Sequence, residues 1–182
     1  MSEADQPTRC GFVALIGAPN VGKSTLLNQL VGAKISIVSR KVQTTRTQVR
    51  GIALSGTAQI IFVDTPGIFA PKRRLDRAMV TSAWGGATDA DLIGVLIDVA
   101  RFEHEENTVL LEKLAELKQP KFLILNKIDT VPKEKLLEIT AKVNERGQFE
   151  ATFMVAALTG YGVKDILAWL EKRLPPGPWL YP

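Results

Sequence analysis

The residues Gly17-Ala18-Pro19-Asn20-Val21-Gly22-Lys23-Ser24 carry the spacing G-x-x-x-x-G-K-[ST]. Glycines at those positions let a backbone wrap around phosphate with its N–H groups turned onto the anion, at the positive end of the helix that follows. Lys23 would reach the outer phosphates, and Ser24 would bind magnesium through its hydroxyl. A second motif, Asp64-Thr65-Pro66-Gly67, closes an apolar run. Its carboxylate would hold magnesium through water, while Gly67 would free the backbone to bring an N–H to a γ-phosphate and release it after hydrolysis. A third, Asn126-Lys127-Ile128-Asp129, also follows an apolar run. The Asp129 carboxylate would accept hydrogen bonds from the N1–H and exocyclic amine of guanine. Adenine lacks that donor pattern and would leave the buried acceptor unsatisfied. Alone, D-x-x-G is a common turn and NKID is surface decoration. In this order along one chain they point to a guanine nucleotide.

These motifs need a scaffold that delivers them to one edge, and the apolar pattern supplies it. Short apolar runs at Phe12–Ile16, Gln59–Val63, Leu92–Ala100, Phe122–Leu125 and Thr152–Val155 read as buried parallel strands. Between them, Leu26, Leu27, Leu30 and Val31, then Leu110, Leu114 and Leu117, then Leu136, Ile139 and Val143, and last Val163, Ile166, Leu167 and Leu170 recur at helical spacing. Strand and helix alternating predict an α/β fold of the P-loop NTPase type, a mostly parallel six-stranded sheet with helices on both faces. Val49–Ser55 is expected to pair antiparallel with Gln59–Val63 across a turn containing Gly56.

Length and composition set the class. The 182 residues, 46% hydrophobic and 23% charged, suit one soluble folded domain. No apolar run approaches the roughly 20 residues that cross a bilayer, and Glu3 and Asp5 stand where a signal peptide would be positive. A cytoplasmic location is the expectation. Cys10 is the only cysteine, which excludes an intrachain disulfide and a cysteine metal cluster and leaves it a packing role. A net charge of +4 leans towards anionic partners, as a phosphate-binding protein would in any case.

Other residues are weighed against the same scheme. Thr44 and Thr45 lie in Ser36–Val49, a polar, basic stretch without regular periodicity that suits a loop closing over nucleotide. One of their hydroxyls would complete the magnesium shell in the triphosphate state. Thr45 is preferred because it directly precedes Arg46, with Thr44 the alternative. Met154–Gly162 reads as strand then turn, where the Ala157 N–H would touch the guanine O6. Lys34, Arg40, Lys41, Arg46 and Arg50 flank the first of these loops and Lys72, Arg73, Arg74 and Arg77 the second. No aromatics interleave them as a base-stacking platform would require, so a solvated basic face competes with RNA contact. His104 stands among Glu103, Glu105 and Glu106 at the exposed start of a helix, Asp98 ends a strand, and Trp84 and Trp169 read as packing residues.

GAPNVGKSTLLN, the SRKVQTTR stretch at 39–46, FVDTPGI at 62–68, LNKID at 125–129 and the terminal GPWLYP together resemble the translation-factor-like branch of small GTPases, and within it the bacterial Era family, over 11–182. The resemblance implies a Ras-like, GTP-hydrolysing switch using GTP or GDP and Mg2+. Lys23, Thr45, Asp64 and Gly67 would serve catalysis, and Ser24, Thr45 and Asp64 would hold the metal. It extends the nucleotide-contacting set to Thr25, Thr65, Pro66, Lys127, Ile128, Ala156 and Leu158. Residues 1–9 would be a flexible tail, 10–174 the GTP-binding domain, and 175–182 the start of a linker to a C-terminal KH domain, with a docked C-terminal tail the alternative reading of that Pro-rich stretch. In the intact protein that domain would bind small-subunit ribosomal RNA during 30S assembly. The resemblance implies no stable oligomer and allows peripheral inner-membrane association. Asn20 resembles the residue that in several relatives helps bind K+ beside the phosphates, where it would otherwise only shape the loop. Two departures matter. Ala156 stands where the family usually has serine, removing a hydroxyl that braces the guanine loop. Ile68 stands where Ras-type enzymes orient the attacking water with glutamine, which implies slow intrinsic hydrolysis and keeps open a module that signals by nucleotide occupancy alone.

Overall fold

The computed structural model describes residues 7–18, 21–32, 49–64, 90–115 and 117–180. Its strands are β1 (Arg9–Gly17), β2 (Val49–Ser55), β3 (Ala58–Asp64), β4 (Leu92–Asp98), β5 (Lys121–Asn126) and β6 (Thr152–Met154). The described helices are α1 (Lys23–Val31), α2 (Glu105–Leu114), α3 (Lys133–Arg146) and α4 (Val163–Arg173). The strands form a single sheet in the order β2-β3-β1-β4-β5-β6. Every pair is parallel except β2 with β3.

Alternation along the strands assigns each side chain to one of two cores. Ala14, Ile16, Ile61, Val63, Ile93, Val95, Ile97, Leu123 and Leu125 point to the face covered by α2 and α3, where they meet Leu110, Leu114, Leu136, Ile139 and Val143. Val13, Leu15, Ile60, Phe62, Leu92, Leu96, Phe122 and Ile124 point to the opposite face, against Leu26 and Leu30 of α1 and Val163, Ile166 and Leu170 of α4. All of β4 is buried, as expected of a central strand covered on both faces. At its middle a Cβ on Gly94 would lie 2.8 Å from Phe122 and 2.9 Å from Leu15. Its hydrogen therefore makes room for Phe122, whose ring packs at 5.2 Å from Trp169 and 6.1 Å from Phe153. Trp169 is thus a half-buried packing residue, as its apolar setting suggested; Trp84 lies outside the described residues.

The β2–β3 hairpin turns at Gly56 and Thr57, with Gly56 at φ +57°. Ser55 Oγ donates to Glu171 of α4, which ties the turn to the helix. Three elements end earlier than the apolar pattern suggested, for local reasons. β4 stops at Asp98 because its carboxylate accepts the Ala100 N–H and starts a 3-10 turn over Val99–Arg101. β6 stops at Met154, one residue short of the apolar run. α2 stops at Leu114, and Leu117 then packs on the same core from the tightened turn before Pro120. Lys121 closes that turn by donating to the Leu117 and Gln119 carbonyls, and partial burial lowers its ammonium pKa.

Both ends of the described chain are tied down at the amino edge of the sheet. Arg9, expected to close a flexible tail, instead begins β1, and Thr8 exchanges hydrogen bonds with Gly177. The Pro-rich segment after α4 docks on the start of the sheet, the alternative open for that stretch. Pro176 bridges Arg9, Trp179 Nε1 donates to the Thr57 carbonyl at 2.9 Å, and Gln59 Oε1 accepts the Leu180 N–H at 3.0 Å. Cys10 is half-buried beside it, its thiol on the same Gln59 oxygen.

Candidate nucleotide site

The carboxyl ends of β1, β3, β4 and β5 lie along one edge, and the described parts of the three motifs sit there. β1 runs into Gly17 and Ala18, whose carbonyl accepts the Val21 N–H at 3.3 Å, and α1 begins at Lys23. A Cβ on Gly17 would lie 2.8 Å from Val21 and 2.9 Å from the Leu96 carbonyl, so the loop can lie this close to β4 only with glycine there. Gly22 caps α1 at φ +97°, a left-handed backbone that favours glycine. The first helical bond of α1 runs from the Leu26 N–H to Gly22, so the Ser24 and Thr25 amides precede the ladder and have no intrahelical acceptor. Among the described residues no side chain caps this N-terminus, and no acidic residue stands in its first turn. These donors, with the positive helix end, fit an anion. Lys23 is half-exposed and Ser24 exposed at the same turn.

Asp64 ends β3 beside β1, its backbone paired with Leu15, two residues before Gly17. That register brings the end of the Asp64 strand level with the phosphate loop. Pro19, Asn20, Thr44, Thr45, Thr65, Pro66, Gly67 and Ile68, together with Lys34, Arg40, Lys41, Arg46, Lys72, Arg73, Arg74 and Arg77, lie outside the described residues. Among the described residues no cluster of three or more His, Cys, Asp or Glu would hold a metal unaided. A divalent ion here needs phosphate oxygens and water beside Ser24 and Asp64, and the exposed hydroxyl at the head of α1 fits that donor set.

Asn126 joins the halves of the site. It is 2% exposed. Its Nδ2 donates to the Val21 carbonyl of the phosphate loop at 3.0 Å, and its Oδ1 accepts the Ala157 N–H at 2.9 Å. A Cβ on Gly22 would lie 2.4 Å from that Nδ2, so glycine is needed at 22 for this approach as well as for its φ. The sequence pattern singled out Asp129 as the base selector but did not reveal that Asn126 ties the loops together. Its Ala157 bond also means that the N–H expected to meet guanine O6 points, in this structure, to the Asn126 side chain.

Beyond Asn126, Lys127 adopts φ +62°, the only non-glycine residue with positive φ among those described. It leads into a 3-10 turn over Ile128–Thr130 that leaves the Asp129 side chain exposed. Thr130 Oγ1 donates to the Lys127 carbonyl, and the Ile128 N–H to Val155 at 3.4 Å. Lys127 Nζ lies 3.0 Å from Asp98 Oδ2, a pair that strand position alone did not suggest. The third loop closes on itself. The Ala156 N–H donates to the Tyr161 carbonyl, the Ala156 carbonyl accepts from Thr159 and Gly160, and Leu158 is 85% exposed at the tip. His104 is exposed at the head of α2. A cavity of about 920 Å³, lined by residues such as Leu114, Lys121, Asn144 and Phe149, lies at the amino edge and holds none of the motif residues.

Residues 12–127 match the family described as 50S ribosome-binding GTPase. The chain belongs to that GTPase family. Within it, the chain is 61% identical over 180 residues to the GTPase Era of Afipia carboxidovorans, a match covering 99% of this chain and 58% of that relative. It therefore spans less than two thirds of the relative's length. Among solved structures it is similar to a variant of Aquifex aeolicus Era bound to GDP and AlF4−, with a TM-score of 0.79 and 35% identity over 96% of this chain and 60% of that one. It is equally similar, at a TM-score of 0.81, 35% identity and the same coverage, to Era in complex with MgGDPNP and nucleotides 1506–1542 of 16S ribosomal RNA. The six-stranded sheet with one antiparallel pair is the Ras-like GTPase architecture that this GTPase family shares. No helix among the described residues is long and apolar enough to cross a membrane.

Proposed function

We propose that this chain is a guanine-nucleotide switch domain that binds GTP and hydrolyses it slowly to GDP and phosphate. One observation carries the reading: Asn126, buried between strand ends, bonds both the phosphate loop at Val21 and the guanine loop at Ala157. In this reading Asn126 couples phosphate recognition to base recognition.

In this reading the Ser24 and Thr25 amides and the Lys23 ammonium hold the phosphates, and the Asp129 carboxylate selects guanine. Leu158, exposed at its loop tip, covers one face of the base. The Ala157 N–H turns to O6, alone or shared with Asn126, when the base is bound. Ser24 and Thr45, or Thr44 in its place, would hold Mg2+ through their hydroxyls and Asp64 through water, and the ion would neutralise charge on the phosphate oxygens. Thr45 and Gly67 report the γ-phosphate, and the loops that carry them relax once it is lost. Ile68 offers no hydrogen bond to water, so the attacking water depends on backbone groups or on a partner, and the intrinsic rate is slow.

The test is single-turnover hydrolysis of GTP and ATP with magnesium, by the unaltered chain and by Asp129→Asn. GTP-selective turnover that the substitution abolishes or redirects supports the reading. GTP binding without turnover supports the second reading that Ile68 favours, an occupancy module completed by a partner. Running the assay in potassium and in sodium at equal ionic strength tests whether Asn20 recruits K+. Equal rates remove that role. For the whole protein, the Era relatives and the RNA-bound Era structure support a part in small-subunit assembly. Residues 10–174 would be the switch, and 175–182 would lead to an RNA-binding KH domain.

A further inference from the structure

Asp98 is a buried acid that the nucleotide chemistry above leaves without a role, and it is placed to act on that chemistry. It is 5% exposed at the carboxyl end of β4, between the strand that feeds the phosphate loop and the strand that feeds NKID, its backbone paired with Asn126. Both of its oxygens are used. Oδ1 accepts the Ala100 N–H at 2.9 Å, which fixes the carboxylate's direction, and Oδ2 lies 3.0 Å from Lys127 Nζ. Lys127 leaves the end of β5 and its ammonium is held at the end of β4, so its stem crosses the strand end next to β1.

The backbone gives that tether a task. Lys127 stands at φ +62°, which an L side chain adopts only against steric resistance, and the turn after it aims Asp129. Other ties on the turn include an exposed hydroxyl bond and a 3.4 Å backbone bond. The geometry assigns Asp98 as a positioning residue for guanine specificity: by anchoring Lys127 it holds the NKID turn in the one conformation that presents the Asp129 carboxylate to both guanine donors. The assignment rests on the function proposed above and deepens it. Asp98→Asn keeps the size and the acceptor for Ala100, and Lys127, 41% exposed, can be hydrated in its place, so the fold survives while the tether is cut.

The experiment measures dissociation constants for GDP, IDP and ADP and the ligand-free melting temperature. The proteins are the unaltered chain, Asp98→Asn, Lys127→Met and the double variant. IDP lacks the exocyclic amine and so reports the second hydrogen bond to Asp129. Asp98→Asn is expected to weaken GDP binding by roughly three- to tenfold, IDP binding less, and so to narrow the GDP-over-IDP preference. Lys127→Met should narrow it too, and the double variant should narrow it no further than the stronger single variant. Should Lys127→Met leave Asp98 too poorly paired to fold, Lys127→Arg serves instead. It must keep the preference beside the native Asp98 and lose it when combined with Asp98→Asn.

A lowered melting temperature with an unchanged GDP-to-IDP ratio would make Asp98 structural only and overturn the assignment. So would an Asp98→Asn effect that persists in full when Lys127→Met is already in place. An unaltered chain that binds GDP no better than ADP overturns the guanine reading itself, and the assignment with it.

Discussion

Replacing Asn126 by alanine separates a structural tie from a base contact. The side chain is 2% exposed and bridges a carbonyl on Val21, itself 3% exposed, to an N–H on Ala157, 2% exposed. Truncation breaks both hydrogen bonds and strands a buried acceptor and a buried donor, at about 1–3 kcal/mol apiece where water does not reach them. Partial relaxation of the loops brings the expected loss to about 2–5 kcal/mol, or roughly 5–15 °C in melting temperature for a domain of this size. The assay is thermal and denaturant unfolding of the nucleotide-free protein, with the denaturant slope checked for constancy so that the shift reads as stability. Asp129→Ala is the control. Its carboxylate is exposed, so it should fall within about 0.5 kcal/mol of the unaltered chain while losing guanine binding. If nucleotide-free Asn126→Ala is as stable as Asp129→Ala, Asn126 does not hold the loops together and the reasoning fails.

Other substitutions probe the same geometry. Gly22→Ala places a methyl 2.4 Å from Asn126 Nδ2 on a backbone at φ +97°, and should cost about 1–3 kcal/mol and abolish nucleotide binding; a stable, binding-competent variant would contradict the placement. Ala156→Ser restores a hydroxyl to the loop closed by Tyr161, Thr159 and Gly160, and is expected to tighten GDP binding by about two- to tenfold. Unchanged affinity in a titration would show that the loop needs no such brace. Arg173 donates to Glu150 at 2.6 and 2.9 Å, and that hydrogen bond, against a smaller burial effect, lowers the Glu150 pKa. A depressed carboxylate stabilises above its unfolded pKa of about 4.5 and loses that contribution as pH falls through the folded value. Both partners are 39% exposed, so Arg173→Met should cost at most about 1 kcal/mol at pH 7, and in unfolding curves the difference should shrink as pH falls below about 4.5 and be gone once the folded Glu150 is protonated. A gap that does not shrink with falling pH would assign the loss to packing of the Arg173 stem.

The chemistry-bearing motifs were legible in the chain because their requirements are local. A phosphate loop needs glycines at fixed offsets before a helix. β1, α1 and the Gly56 hairpin follow from apolar runs and turn residues within a few positions of one another. Strand and helix periodicity likewise assigned Leu136, Ile139, Val143, Val163, Ile166 and Leu170 to buried faces. What remained hidden depends on residues far apart in sequence. Asn126 meets Val21 across 105 positions and Ala157 across 31. Asp98 meets Lys127 only because β4 and β5 are neighbours in register. The docking of Trp179 and Leu180 on Thr57 and Gln59 is of the same kind. Strand order is a property of the whole sheet and leaves no local trace in composition. The sequence by itself marked the groups proposed here to bind phosphate and select a base. Tertiary packing alone decided which buried side chains hold those groups in place, because a hydrogen bond between strand ends exists only once the strands lie side by side.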